Sequence, residues 1–407
     1  MNQKLFDLGI YVTLSWVMST CVTTKPSKPQ DSATWSLLKD VAEVPCEVIP
    51  VSETVLDYQK VGYSSPIESL LINARARNGR PVFYKLPYPS FGPPTLEKVE
   101  TLKVTNEETF MGIGTVFKTK YMAVGKNTQT DPKIILKVPT LEGTTLATGK
   151  LPFALEDAAF SSADEGLWVI SKHKEFAEEP SALDDRPSSL HYFKVQKNIL
   201  TPQSFSFQML GQTQLLTYNQ KHAVAIWLDE GTSEKPKPGK FKLRLVSNKG
   251  VFSPEVILAD IVQKVEQWSA VVVKDGLLLA TIEGDSVMGD ANLRVTKVQL
   301  GAKGVTVVWQ KTKSLTNEHV SDPFWVTRKD GVYLYLPKWL DSDVTLSLYQ
   351  ITNNDVKSIG SMGVFSEGTT FQSLFTLKNG GVVSLSSTTK NNATKHLLCE
   401  VTPPSKL

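Results

Sequence analysis

The sequence predicts an all-β fold, a β-propeller of seven four-stranded blades, with six or eight blades as alternatives. Three observations carry this expectation. Beyond residue 35 the chain is almost entirely alternating or β-branched runs of roughly five to nine residues, separated by short polar turns. A hairpin layout returns at intervals of roughly fifty residues, the length of one propeller blade. The last repeat is one strand short, and a segment near the N-terminus offers the missing strand.

The first repeat is the faintest: SLLINAR, PVFYKL and LEKVETL near Leu70–Leu102. MGIGTVF, YMAVG, IILKV and TLATG follow within Met111–Gly149, then DAAFSS, LWVISK, LHYFKV and SFSFQ within Asp157–Gln208. The fourth repeat is QLLTYN, AVAIWL, FKLRLV and PEVIL within Gln214–Leu258. Turns mark the last three. Lys274-Asp275-Gly276 separates WSAVVV from LLLATIEG, Lys329-Asp330-Gly331 separates DPFWVTR from VYLYLP, and Lys378-Asn379-Gly380 separates FQSLFTL from GVVSLSS. Asp-Gly and Asn-Gly suit tight hairpins because these residues tolerate positive φ. NLRVTKVQL, VTLSLYQIT and HLLCEV supply third strands, and VTVVWQK and VKSIG supply fourth strands. A pair of β-sandwiches accounts for the strands but not for the repeat.

After HLLCEV the chain ends in TPPSKL, so the last blade lacks its outer strand. A bare edge leaves backbone groups unpaired. EVPCEVIPV, Glu43–Val51, is the expected replacement. Cys46 and Cys399 then fall on neighbouring strands, each in a Cys-Glu-Val-x-Pro context, and an oxidising compartment allows a disulfide between them. Two buried free thiols are the alternative.

Composition narrows the function. The 407 residues carry 44 basic and 41 acidic side chains, a formal charge of +3, without a basic segment, so a nucleic-acid partner is not expected. Only seven of the basic residues are arginine, poor equipment for bidentate recognition of carboxylate or phosphate. The three cysteines form no CxxC pair and the five histidines are scattered, so neither a metal nor a cofactor is expected.

At the N-terminus, Lys4 precedes the uncharged run Leu8–Met18, too short for a spanning helix of about 20 residues and suited to the apolar core of a secretory signal. Ser19, Thr20 and Cys21 follow. This arrangement resembles the lipobox of bacterial lipoproteins. The resemblance implies a signal peptide over residues 1–20, acylation of Cys21 and an outer-membrane anchor, since Val22 is not the aspartate of inner-membrane retention. VTTKPSKPQDS then reads as a flexible tether, residues 21–34, before a propeller domain over 35–407. A cleaved signal with an incidental cysteine and a buried N-terminal helix in a cytosolic protein are the alternatives.

Candidate ligand positions fall on loops joining second to third strands, and on the connections between blades. Lys172–Ser189 is long and acidic, with Glu175, Glu178, Glu179, Asp184 and Asp185. Asp229–Lys240 is proline-broken and offers Asp229 and Glu230. Glu283–Asn292 offers Asp285 and Asp290, which with Asn292 are hard oxygen donors of the kind Ca²⁺ takes, though not at EF-hand spacing. Lys338–Val344 places Trp339 beside Asp341 and Asp343, a pattern suited to stacking on a sugar ring. Trp168, Trp227, Trp268 and Trp325 recur at similar blade positions and are expected in the core. Arg328, on an inner strand, is the arginine placed to face the channel.

The stretch RLVSNKGVFSPEVIL resembles the hairpin repeat of sialidases through Ser247, Gly250 and Phe252, with Lys249 at the aspartate position. That resemblance covers one turn and implies a propeller-type carbohydrate-active hydrolase. Against it, Arg244 and Arg294 occupy equivalent third-strand positions and look architectural. No GxSxG elbow or phosphate loop is present. The leading expectation is therefore a monomeric, non-catalytic, lipid-anchored binding or scaffold module of the cell envelope, facing a protein or glycan partner. The hydrolase is the alternative.

Overall fold

The computed structural model describes strand residues 46–48, 55–64, 69–76, 81–86 and 97–99, then residues 108–402 less short stretches (117–118, 127–130, 139–143, 153, 161–165, 173–186, 197–198, 220, 233–234, 261–263, 286–289, 302–303, 316–317, 341–342, 366–367, 377–379 and 391–392). Cys21, the expected signal segment and the expected tether lie outside the described residues, as do Glu175, Glu178, Glu179, Asp184, Asp185 and Asp341.

Antiparallel pairing sorts the described strands into seven consecutive units. Unit 1 holds Val55–Ser64, Ser69–Ala76, Pro81–Leu86 and Glu97–Val99. Unit 2 holds Glu108–Val116, Thr119–Lys126, Lys133–Lys137 and Thr145–Lys150. Unit 3 holds Ala154–Phe160, Gly166–Lys172, Ser188–Gln196 and Ile199–Met209, and one parallel bridge, Ile199 to Thr148, joins it to unit 2. Unit 4 holds Gln212–Asn219, His222–Gly231, Pro236–Ser247 and Val256–Asp260. Unit 5 holds Val265–Val273, Gly276–Asp285, Asp290–Gly301 and Gly304–Ser314. Unit 6 holds Phe324–Arg328, Gly331–Leu340, Asp343–Ile351 and Val356–Phe365, with the short His319–Val320 also on its second strand. Unit 7 holds Thr369–Thr376, Val382–Lys390 and Ala393–Glu400, and Cys46–Val48 is its fourth, outermost strand. The first strand of each unit neighbours the first strand of the next, from unit 1 through unit 7. That succession of inner strands is the architecture of a β-propeller.

The period-2 rule explains why the second strands read as unbroken apolar runs. Successive side chains point to opposite sheet faces, and here both faces are covered. In GLWVISK, Leu167 and Val169 enter the core shared with unit 2, beside Ala123, Ile134 and Leu136. Trp168 and Ile170 enter the core shared with unit 4, beside Ala225 and Trp227. Unit 4 continues the alternation: Val224, Ile226 and Leu228 turn toward Leu277 and Leu279 of unit 5. Trp168 and Trp227 are thus core residues on second strands, 0% and 2% exposed. Trp268 and Trp325 lie on first strands and tie neighbouring units together. Trp268 Nε1 donates to Gln212 Oε1 at 2.8 Å, and Trp325 Nε1 to the Ser269 carbonyl at 3.0 Å. Ser269 Oγ in turn donates to the Pro323 carbonyl at 2.7 Å.

The structure shifts the tight turns by one residue from the expectation. Val273 pairs with Gly276, and Arg328 with Gly331, so Lys-Asp forms each tip and the glycine opens the next strand. Gly276 has φ 152°, and a Cβ there would meet the Val298 carbonyl oxygen. Gly276→Ala is expected to cost about 3 kcal/mol, from backbone strain and displacement of the third strand. Gly301, with open space around it, supplies the control. Urea midpoints of the two alanine variants check this, and equal midpoints would refute it.

The N-terminal strand closes the last unit in register: Cys46 opposite Cys399, Glu47 opposite Leu398, Val48 opposite Leu397. Cys46 and Cys399 are joined as a disulfide across a sequence separation of 353, with Cα atoms 4.2 Å apart.

Candidate functional site

Because each strand reverses its neighbour, the connections between second and third strands emerge at one end of the units, together with those between units. Most candidate residues lie at this end. In unit 4 the second strand closes on Asp229-Glu230-Gly231. Lys242 Nζ sits 2.8 Å from Asp229 Oδ2 and 3.0 Å from Glu255 Oε1. The Gly231 N–H donates to Asp229 Oδ1 at 3.0 Å. Burial works to raise Asp229, but Lys242 and the Gly231 N–H outweigh it and hold the carboxyl below its ordinary range. Burial likewise works against charge on Lys242, and Asp229 and Glu255 outweigh it, so the amine titrates above its ordinary value. Glu230 differs: burial raises its carboxyl, with Lys264 acting in the opposite direction.

Unit 5 repeats this arrangement in register. Trp227 faces Lys242 in unit 4, and Thr281 faces Arg294 in unit 5. Asp229 and Glu283, each two residues further along, lie diagonal to those cations. Arg294 meets Glu283 Oε2 at 2.8 Å, and Thr281 Oγ1 donates to Glu283 Oε1 at 2.7 Å. In unit 6 the same level carries Lys338, 2.7 Å from Glu318 Oε2. Sequence reasoning missed the carboxylate–cation pairs, although Arg294 was read as architectural. Their signal was a charged residue capping each apolar second strand.

The remaining candidates are dispersed. Asp285 and Asp290 face each other across the end of a hairpin in unit 5. Asp343 is exposed and pairs with Leu340, so the expected loop over Lys338–Val344 shrinks to the two residues between them. Trp339 is a strand residue facing Val344 and His319, and it lies against the core between units 6 and 7 rather than in a loop. The expected proline-broken loop is also mostly strand. Pro236 and Pro238 fit there because the fourth strand pairs only with Lys240–Leu243, leaving no outer ladder bond for a proline to break. Arg328 lies at the opposite end of unit 6, beside the turn. Its Nε is 3.0 Å from Asp330 Oδ1 and its guanidinium lies 5.6 Å from the centre of the Tyr333 ring. Among the described residues, no group of three or more His, Cys, Asp and Glu side chains converges as a metal site would.

At the sialidase-like turn, Ser247 Oγ accepts from the N–H groups of Lys249 and Val251, and Gly250 takes φ 82°. Arg244 lies over the rings of Phe207 and Phe252, 4.9 and 5.1 Å from their centres, and donates to the Ser253 carbonyl. These contacts make Arg244 a packing residue.

A further polar cluster lies inside unit 3. His191 is 4% exposed. Its Nε2 is 2.9 Å from Ser171 Oγ, and its Nδ1 is 3.0 Å from Ser204 Oγ. The hydroxyls serve either neutral tautomer, and burial pushes the imidazole down to about 4.

No protein-family model matches the chain, and no curated protein matches it. Solved structures do. Prolyl oligopeptidase B from Galerina marginata matches with a TM-score of 0.53 at 9% identity, over 86% of this chain and 50% of that one. A structure from a study of two prolyl endopeptidases matches with a TM-score of 0.51 at 12% identity, over 89% and 48%. The β-propeller domain of the Trilobed protease from Pyrococcus furiosus gives 0.47 at 11%, over 86% and 96%. The chain spans about half the length of the two prolyl peptidases. At these identities the likeness is one of fold. The strand pairing and the succession of inner strands make the chain a β-propeller protein.

Proposed function

We propose that this propeller is a non-catalytic binding or scaffold module of the bacterial cell envelope. In this reading a lipid on Cys21 holds it to the outer membrane, and the loop end of the ring meets a protein or glycan partner. One observation carries the non-catalytic part: Asp229 and Glu283 at the loop end are each paired with a cation of their own unit. Carboxylates committed in this way stiffen the sheet ends and are poorly placed to exchange protons with a substrate. The Cys46–Cys399 disulfide supports an oxidising compartment.

The test is the intact mass of the protein from its native membrane. A chain beginning at Cys21 and carrying acyl groups is the expected result, and an unmodified full-length chain would overturn the anchor. A second reading, a propeller-type carbohydrate-active hydrolase, is favoured by Glu230, whose burial-raised carboxyl is what a general acid requires. Turnover of aryl glycosides that disappears in Glu230→Gln would replace the binding reading with this one.

A further inference from the structure

The fourth strand of unit 5, Gly304–Ser314, carries one extra residue. Trp309 pairs with Lys297 and Val307 with Val298, so Val308 is left over as a bulge. Alternation along a strand places every second side chain on one face, and a bulge moves the residues beyond it to the other face. Val305 and Val307 accordingly pack on the core between units 4 and 5, whereas Trp309 packs on the core between units 5 and 6. Trp309 Nε1 donates to the Asn353 carbonyl of unit 6 at 2.7 Å. Lys313, further along the strand, turns the same way and meets Tyr349 on the third strand of unit 6.

Tyr349 is buried in that core. Lys313 Nζ donates to its hydroxyl at 3.2 Å and lies 4.8 Å from the centre of its ring. Among the described residues no carboxylate pairs with this amine. Glu318, whose charge reaches it, is engaged by Lys338 Nζ at 2.7 Å. Tyr349 supplies no countercharge, because burial raises its phenol above the ordinary value and keeps it neutral. The Tyr349 ring shields the amine, and this desolvation works against its charge. The Lys338 ammonium adds to that and Glu318 opposes both, so the amine titrates below its ordinary value. Attraction between the ammonium and the ring acts the other way, but it is a weaker hold than an ion pair. Lys313 as a whole is exposed, open to a reagent in solution.

We propose that Lys313 is a nucleophilic amine that takes up aldehydes as an imine. A lysine attacks only in its neutral form, which a desolvating wall and a neighbouring cation favour. Neutral Nζ adds to the aldehyde carbon and a C–N bond forms. The carbonyl oxygen then leaves as water with the two amine protons, so nothing is oxidised or reduced. The iminium formed when the imine takes up a proton keeps the attraction to the Tyr349 ring, whereas an acylated amine would lose it. That difference favours aldehydes over acyl donors.

Competitive labelling of the full chain tests this. Limiting propionaldehyde is added at about pH 8 with cyanoborohydride, which delivers hydride to each iminium and fixes it as a secondary amine. Peptide mass mapping then locates the modified lysines. Lys313 is expected to react about fivefold or more faster than Lys311, an exposed lysine on the same strand. Two substitutions should move that ratio in opposite directions. Lys338→Met removes a repelling charge and frees Glu318 to attract the ammonium, so Lys313 should slow. Glu318→Gln removes the opposing carboxylate, so Lys313 should quicken. Lys311 is the reference within each variant, and a general loosening of the fold would not shift the ratio both ways. Lys313 reacting no faster than Lys311, or a ratio that the two substitutions do not move in opposite directions, overturns the proposal.

Discussion

Reducing the Cys46–Cys399 disulfide, or replacing Cys46 by Ser, is expected to produce the largest loss of stability of any single change in this chain. The strand that closes the last unit is only Cys46–Val48, three residues held in register against Leu397–Cys399. Three ladder positions on an outermost strand do little to offset the entropy of fixing the chain end. The disulfide supplies the constraint, because it closes a loop with a sequence separation of 353. Chain-entropy arguments put such a closure at roughly 5 kcal/mol. For a propeller of this size that is a fall of about 6 °C in melting temperature. A thermal melt with and without a dithiol reductant measures it, and the Cys46→Ser variant should lose its response to reductant. Reduction also bares the edge of Ala393–Glu400, so the reduced protein should associate at lower concentration than the oxidised one. An unchanged melt on reduction would show that the three-residue ladder suffices.

Acid should weaken the protein through His191. In the folded state its imidazole, buried between Ser171 and Ser204, titrates at about 4, and burial is the cause. In the unfolded chain it titrates near 6.5. A depressed histidine favours folding while it is neutral in both states, above about pH 6.5. As the pH falls below that value the unfolded chain takes up a proton that the folded chain refuses, and stability drops until the folded pKa is passed. The whole window amounts to about 3 kcal/mol, most of it lost between pH 6.5 and 4. Burial of His222 shifts it in the same direction, more weakly exposed to desolvation because it lies near the surface. Urea midpoints at pH 7.5 and pH 5 measure the combined slope. His191→Gln keeps hydrogen-bonding capacity toward the two serines and removes the proton, so its midpoint should vary with pH much less than the parent's. Equal slopes in parent and variant would place the acid sensitivity elsewhere.

Much of the fold was legible because burial leaves a trace in every residue of a strand covered on both faces. LWVI, AVAIWL and LLLA run apolar without a break, since alternate side chains feed two different cores. Val55–Ser64 escaped notice for the converse reason: VLDYQKVGYS mixes polar and apolar residues without a clear period, yet it forms the first strand of unit 1. The stretches over Asp229–Lys240 and Lys338–Val344 read as loops in the sequence, because proline and charge suggest turns wherever the pairing partner is unknown. Both are strand ends whose fate depends on which neighbour lies alongside.

By itself, the sequence determined the all-β repeat, the ranges of six units from Met111 onward, and the placing of Cys46 and Cys399 on neighbouring strands. Each of these depends on local composition or on counting a missing strand. Only the tertiary structure decided the charge geometry: the diagonal pairs Asp229–Lys242 and Glu283–Arg294, the His191 cluster, and the Lys313–Tyr349 contact. Strand register creates those relations. It brings side chains far apart along the chain to within a few ångströms, and a one-residue slip would send every one of them to the other face.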